Sequence, residues 1–326
     1  MTKKRKPSLP SLLKSKIYKT GQTRGADDDV IFQNRVNRNS TVLIPYNFFE
    51  ICNPEQCDIE PFENGFIVLI NPEYYFNNED INNELIAKGL KLGENALIFY
   101  ETRREWNLYN PIEKGLNVPN SRKSPLGGEF VARVPSTTSA DVEKVTLGYN
   151  TSGLKGAGIR VYEYASKETF NDAQYQLEYL FWLCTDSNEV ALSAGMSSED
   201  IELRLNYINE ICEERNLKDY DILINNRIID KDLNTICPLC LQKLSGKGFI
   251  NRLTQAEGRL VPDLTVTEIN LFHIIELRTG QYNHRPYNLG WGHHHCNVVC
   301  KDSGISETLR WIKSIYERNL EERFEY

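Results

Sequence analysis

The sequence predicts a mixed α+β protein: a large N-terminal α+β domain, then a small module stapled by cysteine and histidine, closed by a C-terminal helix. Three observations predict it. Short apolar runs such as Phe66–Ile70 alternate with stretches of helical spacing along much of the chain. A chain of 326 residues is long for one compact core. All five histidines fall between His273 and His295, with Cys237 and Cys240 in front of them and Cys296 and Cys300 at the rear. The expected divisions are a basic arm over 1–38, the large α+β domain over 39–230, and the cysteine-histidine module with its helix over 231–326.

Each element has its own signal. Thr41–Pro45 and Phe66–Ile70 are short apolar runs of strand type, the second preceded by the turn pair Asn64–Gly65. Glu79–Leu92 has helical spacing through Ile81, Leu85, Ile86 and Leu90, with Gly93 as the expected C-cap. Asn95–Glu101 is again strand-like. From Asn110 to Gly158 the chain is rich in Pro, Gly, Ser and Thr, which predicts short strands joined by long loops. Lys167–Cys184 reads as a mostly buried helix. Ser197, with Asp200 three residues on, opens another, whose inner face carries Ile201, Leu205, Ile208 and Ile211. The last helix runs Ile305–Phe324, with Ile305, Leu309, Ile312, Ile315 or Tyr316, and Leu320 as its packing stripe.

Composition narrows the function classes. A hydrophobic fraction of 40% and a charged fraction of 25% are ordinary for a soluble globular protein. The apolar runs are far too short to span a bilayer, and the N-terminal stretch lacks the apolar core of a secretory signal. A cytoplasmic location is expected, where eight cysteines with a C-x-x-C pair favour metal over disulfides. Net charge is -7, but residues 1–38 hold ten Lys or Arg against three Asp, a local balance of +7 that leaves the remainder at -14. A basic arm on an acidic body can meet phosphates; a solvated tail is the plainer alternative. No glycine-rich phosphate loop ending in Gly-Lys-Ser/Thr occurs, so ATP-driven translocation is not expected.

Cys237-Pro-Leu-Cys240 has knuckle spacing, in which a tight turn aims two thiolates at one ion, and His293-His-His-Cys296 repeats that spacing. A structural zinc on Cys237, Cys240, His293 and Cys296 is the expectation, with Cys300 as the alternative to His293 and plain core cysteines as the competing reading. Between the pairs, Val266–Leu277 reads as the first strand of a hairpin that turns at Thr279–Gly280 and returns through Asn288-Leu-Gly-Trp. His273 sits toward the end of the first strand.

This order, FHIIEL, then NL, then HHHCN, resembles the HNH or ββα-metal nucleases over about residues 237–302. The resemblance implies His273 as the general base that deprotonates the attacking water. It implies Asn288 as the residue that braces the hairpin loop, and Asn297, on the first turn of the following helix, as a ligand of catalytic magnesium. It also implies Cys237, Cys240, His293 and Cys296 as the zinc ligands. The chain departs from the pattern at Phe272, where most of the family has Asp or His; Glu276 and Asp302 are the nearest carboxylates. His284 and Arg285, in Asn-His-Arg-Pro, are expected to lie near DNA, and His294 and His295 to be surface or supporting residues.

RPYNLGWGHHHCN is most similar to restriction enzymes within that group. The function expected is a sequence-specific, magnesium-dependent double-stranded DNA endonuclease of type II restriction class. A homodimer and a cognate DNA methyltransferase in the same cell are expected from that class. The alternatives are a homing-type HNH endonuclease and a zinc-stabilised DNA-binding protein without catalysis.

Overall fold

The computed structural model describes residues 7–18, 42–52, 62, 65–118, 128–132, 159–254, 262–301 and 303–321. It divides into two compact units, one of Met1–Thr20, Lys167–Leu277 and Asn283–Tyr326, the other of Gly21–Ser166 with Arg278–Tyr282. Asp27–Asp29, Arg122, Arg133 and Asp302 lie outside the described residues. No helix among the described residues is long and apolar enough to cross a membrane.

Helix α1 is Ser11–Ile17. The second unit is built on a parallel sheet of five strands: β1 Val42–Pro45, β2 Phe66–Ile70, β3 Ala96–Tyr100, β4 Phe130–Ala132 and β5 Ile159–Arg160, in the order β4-β3-β2-β1-β5. Register pairs Val42 with Phe66, Val68 with Ala96 and Ile98 with Phe130. The strands are nearly all apolar because both faces of a parallel sheet are covered. Val42, Ile44, Val68 and Ile70 enter one cluster, and Leu43, Ile67, Leu97 and Val131 another, the alternation a pleat demands.

Helices α2 Phe49–Cys52, α3 Pro72–Asn77, α4 Ile81–Ala87 and α5 Arg103–Leu108 lie between the strands. Asn71 caps α3 by accepting from the Glu73 amide at 2.8 Å, and Thr102 with Glu105 forms a capping box on α5. Helix α4 is shorter than its spacing predicts. It stops at Gly89, whose φ of 66° is open to glycine, and the Leu90 amide reaches back to the Leu85 carbonyl at 2.8 Å. Gly93, the expected cap, has φ 78° and serves the turn into β3.

The first unit contains α6 Lys167–Trp182, α7 Ser187–Ser193, α8 Ser198–Glu214 and α9 Tyr220–Asn225. After these come β6 Arg252–Thr254, β7 Pro262–Thr267, β8 Ile269–His273, β9 Leu289–His293, α10 His294–Cys300 and α11 Gly304–Glu321. Ser197 caps α8 through the Asp200 amide at 3.1 Å, as its spacing predicts. The long strand expected over Val266–Leu277 is two strands. It changes partner at Glu268, pairing with β6 before that residue and with β9 after it.

Two findings alter the expected division of the chain. Part of the 1–38 arm is neither solvated nor free: α1 packs Leu13 and Ile17, both 0% exposed, against α6. Glu178 on α6 is fully buried, paired with Arg204 at 2.6 Å and hydrogen-bonded by the Tyr18 hydroxyl, while Arg204 also donates to the Pro7 carbonyl at 3.3 Å. The boundary expected at residue 230 also moves, because α6 to α9 share one core with the cysteine-histidine segment. Trp291 on β9 donates to the Leu177 carbonyl at 2.9 Å, and Phe249 stands edge-on between Phe181 and Trp291, with ring centroids 5.2 and 4.8 Å away.

Candidate active site

The C-x-x-C turn is held by backbone on both sides. Isolated bridges pair Ile229 with Thr235 and Ile236 with Lys243. The Cys237 amide donates to the Gln242 carbonyl at 2.9 Å and the Leu241 amide to the Cys237 carbonyl at 2.8 Å. Opposite it, His293 ends β9 and Cys296 lies in the first turn of α10.

Together these turns bring the donor atoms of Cys237, Cys240, His293 and Cys296 within 4.8 Å of one another, with Cys240 Sγ 3.3 Å from His293 Nδ1. Donors around a zinc ion at normal bond lengths stand about 3.8 Å apart, so this set is compatible with zinc. Burial, with the other thiols beside them, raises the pKa of Cys240 and Cys296. A bound cation reverses that preference and draws the thiolates out. The converging group does not include Cys300, the alternative to His293.

The hairpin beside this site is regular. β8 and β9 run antiparallel, with Ile269 opposite His293 and His273 opposite Leu289, and α10 packs on both. Phe272 is 0% exposed and faces Gly292, where a Cβ would fall 2.5 Å from the Phe272 ring. The position where most of the resembled family has Asp or His is therefore, in this chain, a core position on the strand face away from His273.

His273 is half-buried at the strand end. Asn288, just before β9, accepts from the Ile275 amide at 2.7 Å and donates to the carbonyls of Ile275 at 2.9 Å and Asn283 at 2.7 Å. Asn283 in turn donates to the Glu276 carbonyl at 3.1 Å. The backbone leaving His273 is thus fixed by side-chain amides two and three residues later.

His284 was expected on an exposed loop near DNA. Instead it is 0% exposed, with Nδ1 3.4 Å from His273 Nε2, and its own Nε2 has no hydrogen-bond partner among the described residues. Burial lowers the pKa of His273 to about 4 and, with the neighbouring His273, that of His284 to about 3, so both rings are neutral at pH 7. Sequence reasoning missed this pair, because the polar string Asn-His-Arg-Pro carries no sign of burial.

Arg285 is exposed, and Asn297 is half-buried in the first turn of α10. His294 Nδ1 lies 3.1 Å from the Asn270 side chain, and the exposed His295 stacks on His293.

The family model of the BstXI restriction endonuclease matches residues 15–294. The chain belongs to the BstXI restriction endonuclease family. It is accordingly a type II restriction enzyme, a nuclease whose substrate is DNA. Among the readings weighed from the sequence, membership of the BstXI family favours the restriction enzyme over a non-catalytic DNA-binding protein. No curated protein and no solved structure matches the chain.

Proposed function

We propose that this BstXI-family enzyme cuts double-stranded DNA at a specific sequence through an HNH-type ββα-metal site, with His273 as general base and magnesium as the catalytic ion. The observation that carries the reading is the hairpin of β8 and β9 running into α10, with His273 at the end of one strand and Asn288 bracing the loop between them. A neutral imidazole at pH 7 can accept the proton of an attacking water, and His273 is held neutral by burial. Asn288 positions that ring by tying down the backbone beyond it. Asn297, on the first turn of α10, would hold magnesium through its amide oxygen together with phosphate oxygens. Bound there, the ion would neutralise charge developing on the phosphoryl group.

Cys237, Cys240, His293 and Cys296 would hold zinc and tie the knuckle to the start of α10, which carries Asn297. Arg285, exposed on the loop, is the phosphate contact we assign. His284 is too deeply buried to serve as a surface contact. A homodimer placing one site on each strand, and a companion methyltransferase protecting the host sequence, complete the proposal.

The test is cleavage of plasmid and phage DNA with magnesium, with EDTA and with His273→Ala as controls. Discrete bands that need the ion and vanish in the variant support the reading. Full cleavage by His273→Ala would sink it.

A further inference from the structure

The base reading of His273 has a proton-placement problem that the structure solves. An imidazole that takes a proton from water must offer a lone pair on one ring nitrogen, so its single proton must sit on the other. His273 Nε2 is 3.4 Å from His284 Nδ1. If His284 donated in that contact, the His273 proton would have to sit on Nδ1, and neither nitrogen of His273 would be free for water. If His273 donates, its Nδ1 lone pair is free.

Among the described residues His273 is the one hydrogen-bond partner of the His284 side chain, whose Nε2 is buried and unpaired. A histidine kept to tie the loop together would use its second nitrogen, as Asn288 and Asn283 use their amides nearby. The geometry leaves His284 one task, directed at His273.

We propose that His284 is the positioning residue of His273: His284 Nδ1 accepts the hydrogen bond of His273 Nε2–H and thereby holds the His273 lone pair on Nδ1, facing the attacking water. This rests on the reading of His273 as base. When water is deprotonated, its proton goes to His273 Nδ1 and the hydroxide uses the retained electron pair to bond to phosphorus. The bond from phosphorus to the leaving sugar oxygen breaks, and that oxygen keeps the pair and takes a proton from solvent. The Nε2–H···Nδ1 bond to His284 strengthens as His273 becomes cationic. His284 gains no proton and carries it nowhere. The arrangement does with a neutral imidazole what many catalytic histidines do with a carboxylate.

The experiment uses the full-length, zinc-loaded protein labelled with ¹⁵N in histidine. Long-range proton–nitrogen correlations report the tautomer of each ring. In the wild type, His273 is expected as the Nε2–H tautomer. In His284→Ala it should become a mixture, with turnover on plasmid DNA down about 10–100-fold and KM unchanged. His284→Asn puts an amide oxygen near the lost Nδ1 and should restore both the tautomer and most of the turnover. A purely structural role would not return with Asn.

An Nδ1–H tautomer at His273 in the wild type overturns the proposal, and so does unchanged tautomer and turnover in His284→Ala. Should His284→Ala lose zinc or fail to fold, the wild-type tautomer and His284→Asn still decide. Failure of the base reading shows separately, as full cleavage by His273→Ala while the tautomer still follows His284.

Discussion

Asn288→Ala removes three hydrogen bonds at once from a side chain that is 5% exposed: Ile275 N–H to Oδ1 at 2.7 Å, and Nδ2 to the Ile275 and Asn283 carbonyls at 2.9 and 2.7 Å. At about 1 kcal/mol net each, the loss is about 3 kcal/mol. The Ile275 side chain is exposed, so water can re-bond part of that edge, while the carbonyl of the buried Asn283 has less access; a range of about 2–4 kcal/mol follows. Asn288→Asp separates the bonds by direction. The carboxylate can still accept from Ile275 N–H, but it sets a second oxygen against two carbonyls, so at pH 7 it should be at least as damaging as Ala. Urea unfolding gives the stability change, and amide hydrogen exchange at Ile275 gives the local one. Exchange should accelerate at Ile275 well before global unfolding, and turnover should fall about 100-fold as the His273 ring loses its fixed geometry. Stability within about 0.5 kcal/mol of wild type, with Ile275 still protected, would refute the bracing role.

Cys237→Ser should release zinc and lower Tm; an unchanged metal content by atomic absorption would mean the four donors are ordinary buried groups. Arg204→Ala leaves the fully buried Glu178 without its cation, a loss of about 3–5 kcal/mol that should free α1 first, seen as faster exchange over Ser11–Ile17. For pH, His284 has a folded pKa of about 3 against an ordinary 6.5, so on acidification the unfolded chain takes up a proton that the folded chain refuses. The His284 share of stability is therefore whole well above pH 6.5 and declines below it, by about 2 kcal/mol at pH 5, beside a comparable share from His273 with its folded pKa of about 4. The total decline should be smaller in His284→Asn, and an equal decline in both would remove His284 as a source.

Signals that rest on neighbours in sequence were legible. The apolar runs of β1, β2 and β3, the cap at Ser197 and the two x-x-spaced Cys/His pairs that converge all announce themselves within a few residues. What was hidden depends on distant partners. Nothing local says that the strands run parallel in the order β4-β3-β2-β1-β5, or that β7 and β8 part company at Glu268 to pair with different strands. Lys14 and Lys16 made α1 look like a tail, although Leu13 and Ile17 on its other face meet α6 more than 150 positions later, where Gln174 donates to the Tyr18 carbonyl. His284 is the sharpest case: a polar string on a turn, buried because the loop folds back over His273. Phe272 shows the same limit from the other side. Read as a departure from an Asp or His position, it is a core residue whose ring lies over Gly292.

The order in which the four converging donors are synthesised has a consequence for the cell. Cys240 is made 53 residues before His293, and the unit that contains both also needs α1 from the start of the chain. Strands β1 to β5 can begin to pair on the ribosome, as domains do, long before the knuckle has anything to close against. Under the proposed reading, cutting competence arrives only when zinc has joined the knuckle to α10 and magnesium can be held beside it, after nearly all of the described chain has been translated. Under that reading an unfinished copy cannot cut DNA, and metal supply sets the moment at which a finished copy can cut an unprotected site.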